Sequence, residues 1–502
     1  MTTAVRRRAD AYHDSSRLLA ATRAIEKAEG VSWGAALMGT PQNVELLSEQ
    51  GVDAAGARAN DLVLAVRADS EDHAERALDA AEETLSGTRP ARPETGQRPP
   101  RTTEEAAASL VGAKIAVVSV PGSYAALEAH HALSAGLHVL LFSDGVSVDD
   151  EVALKKRAGR LGLLVMGPGA GTAVLDGVGL GFANAVQPGP IGVVAAAGTG
   201  AQEVLALLAA ADTGVAAVIG VGGRDLTRPV GGLMTRAALR MLANAPDVDV
   251  VLLVAKPPDP AVLADVVPAV GGKPLVLVAL GVDDSPHPDV QNARTIDAGV
   301  TLTLAELGIP APTFDGLGPV AKTAIGGLDP SRTAVRGVFS GGTLCYQAML
   351  VLSQRLGPVY SNTPLLPDWR IPDPPRGHVC VDAGEEEFTV ARPHPMIDAE
   401  ARADLLAAAG ADAATAVLLF DVVLGHGAHP DPAGALGPVV AGLRGPAVVV
   451  NVVGTNADPQ GLDGQRRTLA EAGCLIAPTG ARAALLAAAI ASRNAALVEE
   501  EP

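Results

Sequence analysis

The second half of the chain repeats itself, and this repeat constrains the fold more than any other feature. An apolar run that ends in a Gly-Thr turn occurs at residues 192–203, GVVAAAGTGAQE, and again at residues 337–348, GVFSGGTLCYQA. The tetrapeptide Pro-Asp-Pro-Ala begins at Pro258 and again at Pro430, 172 positions later. The two Gly-Thr turns are fewer positions apart than the two Pro-Asp-Pro-Ala motifs. The second copy is therefore longer between its turn and its motif, and the proline-rich segment 361–378 accounts for most of this insertion. A repeat of this length predicts a duplicated domain.

Strand-like and helix-like segments alternate along the whole chain. Apolar runs such as residues 113–120, AKIAVVSV, are followed by a Gly or Pro turn and then by a stretch with helical periodicity. Hydrophobic residues make up 48% of the chain but aromatic residues only 2%, so the cores must be packed with Ala, Val and Leu. Such cores are typical of helices that cover parallel sheets. The sequence therefore predicts a multi-domain α/β protein.

The segments group into four blocks with one clear boundary. Residues 86–101, SGTRPARPETGQRPPR, are rich in Pro and Arg and contain almost no apolar residue, which is typical of a linker. The predicted organisation is a small N-terminal α/β domain (1–86), a linker (87–101), a second α/β domain (102–190), and the two copies of the duplicated domain (191–325 and 326–502).

Composition excludes several classes of function. The formal net charge is −18, and the chain has few aromatic residues, so nucleic-acid binding is not expected. Three cysteines form no paired framework, which favours a reducing compartment. The first residues are basic but no apolar stretch follows them, so no signal peptide is predicted, and the longest apolar run near the end is too short to span a bilayer. We expect a cytoplasmic protein without a membrane partner.

The two Gly-Thr turns are candidate anion sites. The first N–H groups of a helix lack internal partners, and glycine lets a phosphate or carboxylate approach them closely. The alternative is an ordinary tight turn, which is equally common. The pattern lacks the third glycine of the dinucleotide fingerprint, and the chain contains no P-loop motif, so neither NAD nor autonomous ATP binding is predicted. The candidate residues are Gly198, Thr199 and Gly200 in the first copy and Gly341, Gly342 and Thr343 in the second.

Two further glycine loops follow predicted strands. Gly222 and Gly223 precede Arg224, a pattern that fits an anion nest with a cationic arm or, alternatively, a turn with a solvated salt pair. The loop MGPGAGT, with Gly167, Pro168, Gly171 and Thr172, stands directly before the first copy and is predicted to line a cleft.

Two histidines are candidates for proton transfer. His394 lies between two prolines and near an arginine, which favours a functional role, and Asp398 is the expected N-cap of the next helix. His426 lies in a glycine loop after a strand and could act as a general acid–base or a phosphoryl acceptor; the alternative is a solvent-exposed loop histidine. No histidine or cysteine pair has the spacing of a strong metal site, so no metal is predicted.

Five motifs in this order resemble the FdrA family, which is related to succinyl-CoA synthetase and the other acid–thiol ligases. The resemblance covers nearly the whole chain. The motifs are LLVMGPGAGTAVLDGVGLGFANAVQPGPIGVVAAAGTGAQEV, GVGGRDLTRPVGG, FSGGTLCYQA, FTVARPHPMID and VLLFDVVLGHGAHPDPAG.

The resemblance implies a fold and a set of binding residues. The fold would be a CoA-binding-like Rossmann N-terminal half followed by two duplicated flavodoxin-like, succinyl-CoA synthetase-like domains with parallel sheets. Gly167 and Pro168 match the loop that positions a carboxylic substrate in the ligases. Gly198 and Thr199 match the turn that faces their phosphohistidine, and residues 222–223 match a following glycine loop.

The sequence also departs from the ligases. Their phosphohistidine lies in a Gly-His-Ala-Gly loop, whereas the corresponding stretch here reads VALGVDDSPHPDVQNA, with His287 between prolines. No ATP-grasp domain is present in the sequence, so ATP would act only through a partner subunit.

Three hypotheses about function follow from the resemblance. The first is an acyl-CoA synthetase-like enzyme that handles a small carboxylate through an acyl or carbamoyl phosphate, with CoA as a candidate ligand. The second is a subunit of an oxamate-type carbamoyltransferase, which would convert a ureido acid and phosphate into carbamoyl phosphate in purine (allantoin) breakdown. The third is a non-catalytic subunit that binds a ligand. All three predict other subunits in a hetero-oligomer.

Overall fold

The computed structural model describes residues 2–13, 15–86, 100–288, 290–389 and 393–502. The chain divides into two compact units: the first consists of Met1–Pro99 with Thr389–Pro393, and the second of Pro100–Phe388 with His394–Pro502. All but the last two residues of the predicted linker lie outside the described residues. No helix in the described ranges is both long enough and apolar enough to cross a membrane.

The first unit is a three-stranded antiparallel sheet with helices. The strands lie in the order β1-β3-β2, and β1 pairs with β3 from Thr2 opposite Ala68 to Arg8 opposite Leu62. The predicted small α/β domain contains one strand that the sequence does not indicate. The basic N-terminal segment forms β1, which lies at the edge of the sheet. The elements are β1 (Thr2–Arg8), α1 (Ser15–Glu26), β2 (Val31–Met38), α2 (Pro41–Glu49), β3 (Leu62–Ala68) and α3 (Glu71–Ser86).

The second unit begins with half of a Rossmann-type sheet. Three parallel strands lie in the order β4-β5-β6, and the middle strand is fully buried because both of its faces are covered. The elements are α4 (Thr103–Ser109), β4 (Ile115–Val118), α5 (Gly122–Ser134), β5 (His138–Leu141), α6 (Val148–Leu161) and β6 (Val165–Met166).

The first copy of the duplicated domain is built on a seven-stranded sheet in the order β13-β12-β11-β9-β10-β7-β8. Strands β9 to β13 are parallel, and β7 joins β10 in the antiparallel sense. The hairpin β7-β8 therefore belongs to this sheet, although the predicted boundary at residue 190 assigned it to the preceding domain. The elements are β7 (Thr172–Leu175), β8 (Val178–Gly181), β9 (Pro188–Ala196), α7 (Gly198–Ala210), β10 (Val215–Gly220), α8 (Leu233–Asn244), β11 (Val250–Ala255), α9 (Pro260–Val266), β12 (Leu275–Ala279), β13 (Gln291–Asn292), α10 (Ile296–Glu306) and α11 (Leu317–Gly326).

The second copy has six parallel strands in the order β15-β16-β14-β17-β18-β19. The predicted insertion supplies the extra edge strand β15 and a short 3-10 helix, Pro367–Trp369. The elements are β14 (Ala334–Phe339), α12 (Gly342–Leu356), β15 (Val359–Ser361), β16 (His378–Asp382), α13 (Glu386–Thr389), α14 (Ala403–Ala411), β17 (Thr415–Val423), α15 (Pro432–Gly442), β18 (Ala447–Val453), α16 (Leu462–Glu471), β19 (Leu475–Ala477) and α17 (Gly480–Ser492).

The two sheets confirm the predicted duplication. The strands β10-β9-β11-β12-β13 and β16-β14-β17-β18-β19 both follow the flavodoxin-like order 2-1-3-4-5. The aspartate of each Pro-Asp-Pro-Ala motif caps the helix that it begins: Asp259 accepts from Ala261 N and Asp431 from Gly434 N. The predicted fold class is therefore confirmed.

Candidate functional site

The two Gly-Thr turns touch each other inside the second unit. A Cβ atom on Gly200 would lie 2.8 Å from Thr343 Cγ2, and a Cβ atom on Gly341 would lie 2.9 Å from Thr199 Oγ1. Both threonines are buried. Each threonine therefore fills the space that a glycine of the other copy leaves open.

This contact corrects the prediction of two separate threonine sites. The Thr199 and Thr343 side chains and Gly200 form a contact that joins the two copies. The helix starts themselves remain candidates, because neither α7 nor α12 has a side-chain cap. Since each helix start carries a partial positive charge, the contact brings two such charges together at one place.

A lysine and an aspartate flank the start of α12. Lys256 directly follows β11, and Asp382 ends β16, so the carboxyl ends of strands from both copies meet here. A Cβ atom on Gly342 would collide with Lys256 Nζ and lie 2.5 Å from Asp382 Oδ2. Burial raises the pKa of Asp382 to about 6, although Lys256 opposes this effect. Gly342 is therefore the residue whose missing side chain gives both charged groups access to the helix start.

His394 lies beside Asp382 with a defined tautomer. Its Nδ1 accepts a hydrogen bond from Met396 N at 3.2 Å, so the proton of the neutral ring is on Nε2. A Cβ atom on Gly384 would lie 3.1 Å from His394 Nε2 and 3.2 Å from Asp382 Oδ1. Burial lowers the pKa of His394 to about 4. His394 is thus a neutral N–H donor near pH 7.

Behind the start of α12 lies a buried ion pair. Arg402 NH1 donates to Asp421 Oδ1 at 2.7 Å, and Ser340 N donates to the same carboxylate at 2.9 Å. The Ser340 hydroxyl is fully buried and has no partner among the described residues. A buried hydroxyl without a partner is costly, so Ser340 Oγ is a further group at this helix start that a ligand could satisfy.

A second polar cluster holds the two copies together by reciprocal helix capping. Glu203 of α7 accepts from Gly480 N, at the start of α17 in the other copy, at 2.6 Å. Gln347 of α12 accepts from Ile296 N, at the start of α10 in the first copy, at 2.7 Å. The two side chains also meet, because Gln347 Nε2 donates to Glu203 Oε2 at 3.2 Å. Burial raises the pKa of Glu203 to about 7.

The structure brings two predicted glycine loops together. Gly222 has a φ of +88°, and a Cβ atom there would lie 2.8 Å from Pro168 O and from Gly167 C. The loops after β6 and β10 therefore pack backbone to backbone. The contact leaves no room for a side chain at Gly222. Gly223 is exposed and lies outside this contact.

The remaining residues of the MGPGAGT loop support the β7-β8 hairpin. The Thr172 hydroxyl donates to Phe182 O at 2.8 Å, and a Cβ atom on Gly171 would lie 3.1 Å from the Phe182 ring. Phe182 also packs against the His394 ring at a centroid distance of 5.5 Å. Gly198 at the start of α7 is exposed and lies next to Thr172. Thr172 is therefore a structural residue, whereas Gly198 is open to a ligand.

Arg224 pairs with a buried carboxylate of α6. Its Nε donates to Glu151 at 2.9 Å and its NH2 donates to Val146 O at 2.7 Å. Glu151 also accepts from the buried Lys155, which bridges to Asp225 at 2.8 Å. The salt-pair alternative describes this loop, and the network fastens it to α6.

The structure places His426 at the surface and Asp398 against the backbone of His394. His426 is exposed, and its backbone N donates to Ala183 O at 2.8 Å. Asp398 directly precedes the next helix, the 3-10 helix Ala399–Arg402, which is the position expected of its N-cap, and Arg402 in turn is the N-cap of α14. Asp398 is buried and its N donates to His394 O at 3.0 Å, so it helps to hold the histidine segment.

Comparison with curated proteins identifies the family. The chain is 35% identical to YahF of Escherichia coli over 498 residues, which is 95% of this chain and 96% of YahF. The chain belongs to the FdrA family. This FdrA protein matches the CoA-ligase family model over residues 338–490, so its second copied domain is of the ligase type.

Weaker similarities are found to ligases and to solved structures. Over 187 residues the FdrA protein is 27% identical to the alpha 1 subunit of the ADP-forming succinate–CoA ligase of Archaeoglobus fulgidus, covering 36% of this chain and 63% of that subunit. A dinucleotide-forming acetyl-coenzyme A synthetase from Candidatus Korarchaeum cryptofilum aligns with a TM-score of 0.31 and 14% identity, covering 77% of this chain and 84% of that chain. An ATP citrate lyase from Methanothrix soehngenii, solved with citrate and coenzyme A, aligns with a TM-score of 0.34 and 17% identity over 43% of this chain and 42% of that chain.

Residues 1–101 match a family model described as the heavy metal-associated domain of AllF. The residues of this FdrA protein do not fit a thiolate metal site, because its three cysteines are Cys345, Cys380 and Cys474 and none lies in that region. Within the described ranges, no group of three or more His, Cys, Asp or Glu side chains is arranged to hold a metal ion. Residues 1–101 therefore match this family model but contain no cysteine that could supply a thiolate ligand.

Sequence reasoning missed Lys256, Asp382 and Ser340. All three are polar residues that end or directly follow a buried apolar strand, which is the position where ligand-binding residues of parallel sheets collect. That position is the signal that could have found them.

Proposed function

We propose that this FdrA protein transfers an acyl group between phosphate and a thiol, with an acyl phosphate of a small carboxylic acid bound at the start of α12. The observation that carries the proposal is the contact of two uncapped helix starts beside Lys256. The acid, the use of CoA as the thiol and the partner subunit that supplies ATP are parts of the proposal.

Electrostatics supports a phosphate at this place. Each helix start is equivalent to roughly half a positive charge, and the Lys256 ammonium adds a full charge. The unsatisfied amides of α12 and the unpartnered Ser340 hydroxyl offer hydrogen bonds to phosphate oxygens. The site would therefore bind an anion mainly through groups that are fixed before the ligand arrives.

The reaction itself needs little from the protein besides position and charge. The thiol sulfur forms a bond to the acyl carbon, the carbon–oxygen bond to phosphate breaks, and the thiol proton goes to the released phosphate. The carbonyl oxygen becomes negative on the way, and His394 Nε2–H is a neutral donor that can stabilise it. Lys256 would stabilise the departing phosphate.

The proposal is tested by calorimetric titration with inorganic phosphate. Lys256→Met should weaken phosphate binding at least tenfold, because it removes the ammonium charge at the helix start and leaves the Asp382 carboxylate without its cation. Gly342→Ala should also weaken binding, because its Cβ atom would displace Lys256 Nζ and Asp382 Oδ2 from the helix start.

A matched control is available in α16. A Cβ atom on Gly464 would meet no heavy atom within 4 Å, so Gly464→Ala should leave phosphate binding unchanged. Unchanged phosphate affinity in both Lys256→Met and Gly342→Ala, with the fold retained, would contradict the site.

A second function, carbamoyl transfer, is favoured by Asp382. A carboxylate beside the acyl position repels a second carboxylate but accepts hydrogen bonds from the NH2 group of a carbamoyl unit. Phosphate oxygen would attack the ureido carbon, the bond from that carbon to the acylamide nitrogen would break, and the phosphate proton would pass to this nitrogen. No thiol takes part.

The two functions differ in the co-substrate that they require. Carbamoyl transfer predicts release of carbamoyl phosphate from a ureido acid in a phosphate-dependent, CoA-independent reaction, and Asp382→Asn should reduce it more than hundredfold. Acyl transfer predicts a CoA-dependent loss of the acyl phosphate. Phosphate binding without turnover, alone and with reconstituted partner subunits, would support the non-catalytic role instead.

A further inference from the structure

The half-Rossmann sheet leaves one edge open. Strand β4 pairs with β5 on one side, and no other strand in the described ranges pairs with it. An exposed strand edge offers a row of N–H and C=O groups to another chain, and proteins normally protect such an edge with charge or by covering it.

The segment around this edge is apolar and exposed. We call the following five side chains the edge patch. Their exposed fractions are 66%, 97%, 57%, 62% and 56% for Leu110, Val111, Val117, Tyr124 and Leu127. Together they expose on the order of 600 Å² of apolar side-chain surface. None of them belongs to the site around Gly342.

The same segment is depleted in charge. Charged residues make up 19% of the chain, whereas Lys114 is the only one in residues 110–127. In a chain with a net charge of −18, this is a surface where two copies can approach with little repulsion. Depletion of charge is also the compositional mark of an interface core.

We propose that the edge patch is a self-association surface, in which β4 of two copies pair antiparallel about a twofold axis. The two three-stranded sheets would then form one six-stranded sheet. A contact that uses the patch twice would bury about 1,200 Å², which is the lower limit of the range for stable interfaces. The edge and the patch are self-complementary, as a twofold contact requires.

The test is the mass of the full chain by sedimentation velocity over a range of concentrations. The wild type should be a dimer at micromolar concentration. Val117→Lys should raise the dimer dissociation constant at least a hundredfold, because it places a charge in the paired edge. Val178→Lys is the matched control, since Val178 is 58% exposed and lies on the edge strand β8 of another sheet.

A cross-linking experiment identifies the surface directly. The native cysteines are buried, so Val117→Cys supplies an accessible thiol for a short bis-maleimide, and Val178→Cys is the control. Covalent dimers from the first variant alone are expected. A monomeric wild type, or a dimer that survives Val117→Lys, would overturn the proposal, and a monomer whose patch is protected by a partner subunit would assign the surface to that partner instead.

Discussion

Replacing Glu203 by glutamine should change the pH dependence of stability in a defined way. Glu203 is fully buried, and burial raises the pKa of its carboxyl from 4.5 to about 7 in the folded chain. The folded state therefore holds a proton that the unfolded state has already released between these two values. Stability due to this group is full below pH 4.5, falls as the pH rises and is lost above about pH 7.

The magnitude follows from the two pKa values and the contacts. The rise in the pKa of Glu203 from 4.5 to about 7 corresponds to about 3 kcal/mol of folding free energy, at about 1.4 kcal/mol for each pKa unit. Glutamine keeps an oxygen for Gly480 N but turns an NH2 group toward Gln347 Nε2, which removes one hydrogen bond and costs about 1 kcal/mol. Glu203→Gln should thus be about 2 kcal/mol more stable than the wild type at pH 8 and nearly equal to it at pH 5.

The assay is thermal unfolding between pH 5 and pH 8.5. Only Trp33 and Trp369 are present, so a Trp33→Phe background makes the fluorescence of Trp369 report on the second unit. For a unit of roughly 400 residues, about 2 kcal/mol corresponds to a rise of about 2–3 °C in Tm.

A change at the hydrogen-bond partner of Glu203 is the control for this prediction. Gln347→Glu places a second carboxyl against Glu203 and should lower the Tm increasingly as the pH rises. A Tm difference between Glu203→Gln and the wild type that stays constant from pH 5 to pH 8.5 would refute the reasoning, because it would mean that the Glu203 charge costs the folded state nothing.

Three further outcomes are expected. Lys155→Met should destabilise the second unit by about 3–5 kcal/mol in denaturant unfolding, because it leaves Glu151 and Asp225 buried without their cation, whereas Arg228→Met at an exposed pair should change stability by less than about 0.5 kcal/mol. Ionisation of His394 should not limit the turnover rate between pH 5.5 and pH 8, because burial lowers its pKa to about 4; the contribution of the neutral ring is lost only as the pH falls through that value, and a pH–rate profile checks this. All three cysteines should be inert to a thiol reagent in the native protein and titrate fully in denaturant, because they are buried and burial raises the pKa of each thiol.

Much of the fold could be predicted because it rests on local patterns. Apolar strands bounded by Gly and Pro turns, and stretches of helical periodicity, are properties of neighbouring residues, and the spacing of the two Pro-Asp-Pro-Ala motifs reveals the duplication. The sequence does not predict strand β1 because TTAVRRR has only two apolar residues and ends in three arginines, so it lacks an apolar–polar alternation. The hairpin β7-β8 was assigned to the wrong sheet because strand pairing across a long connection has no local signature.

The candidate site could be predicted only in part, because it depends on contacts between the copies. The sequence identifies Gly342 as the start of a helix, but it cannot reveal that Lys256, 86 positions earlier, lies against it. Similarly, a threonine after a glycine suggests a ligand group until the structure places Thr343 against Gly200. Contacts of this kind follow from how two sheets pack, which no single window of residues contains.

Divergence between the copies explains why a duplicated fold has one site with charged groups. Asp382 pairs with Phe339 in the second copy, and its structural counterpart in the first copy, paired with Ala195, is Gly220. Lys256 follows β11, whereas Leu424 follows the equivalent strand β17. The scaffold thus provides two similar helix starts that touch, and the pair of charged side chains, Lys256 and Asp382, lies against Gly342 of α12. If function required two equal sites, these substitutions would have removed one of them; a reaction that binds a single phosphate group requires only the site that kept its charges.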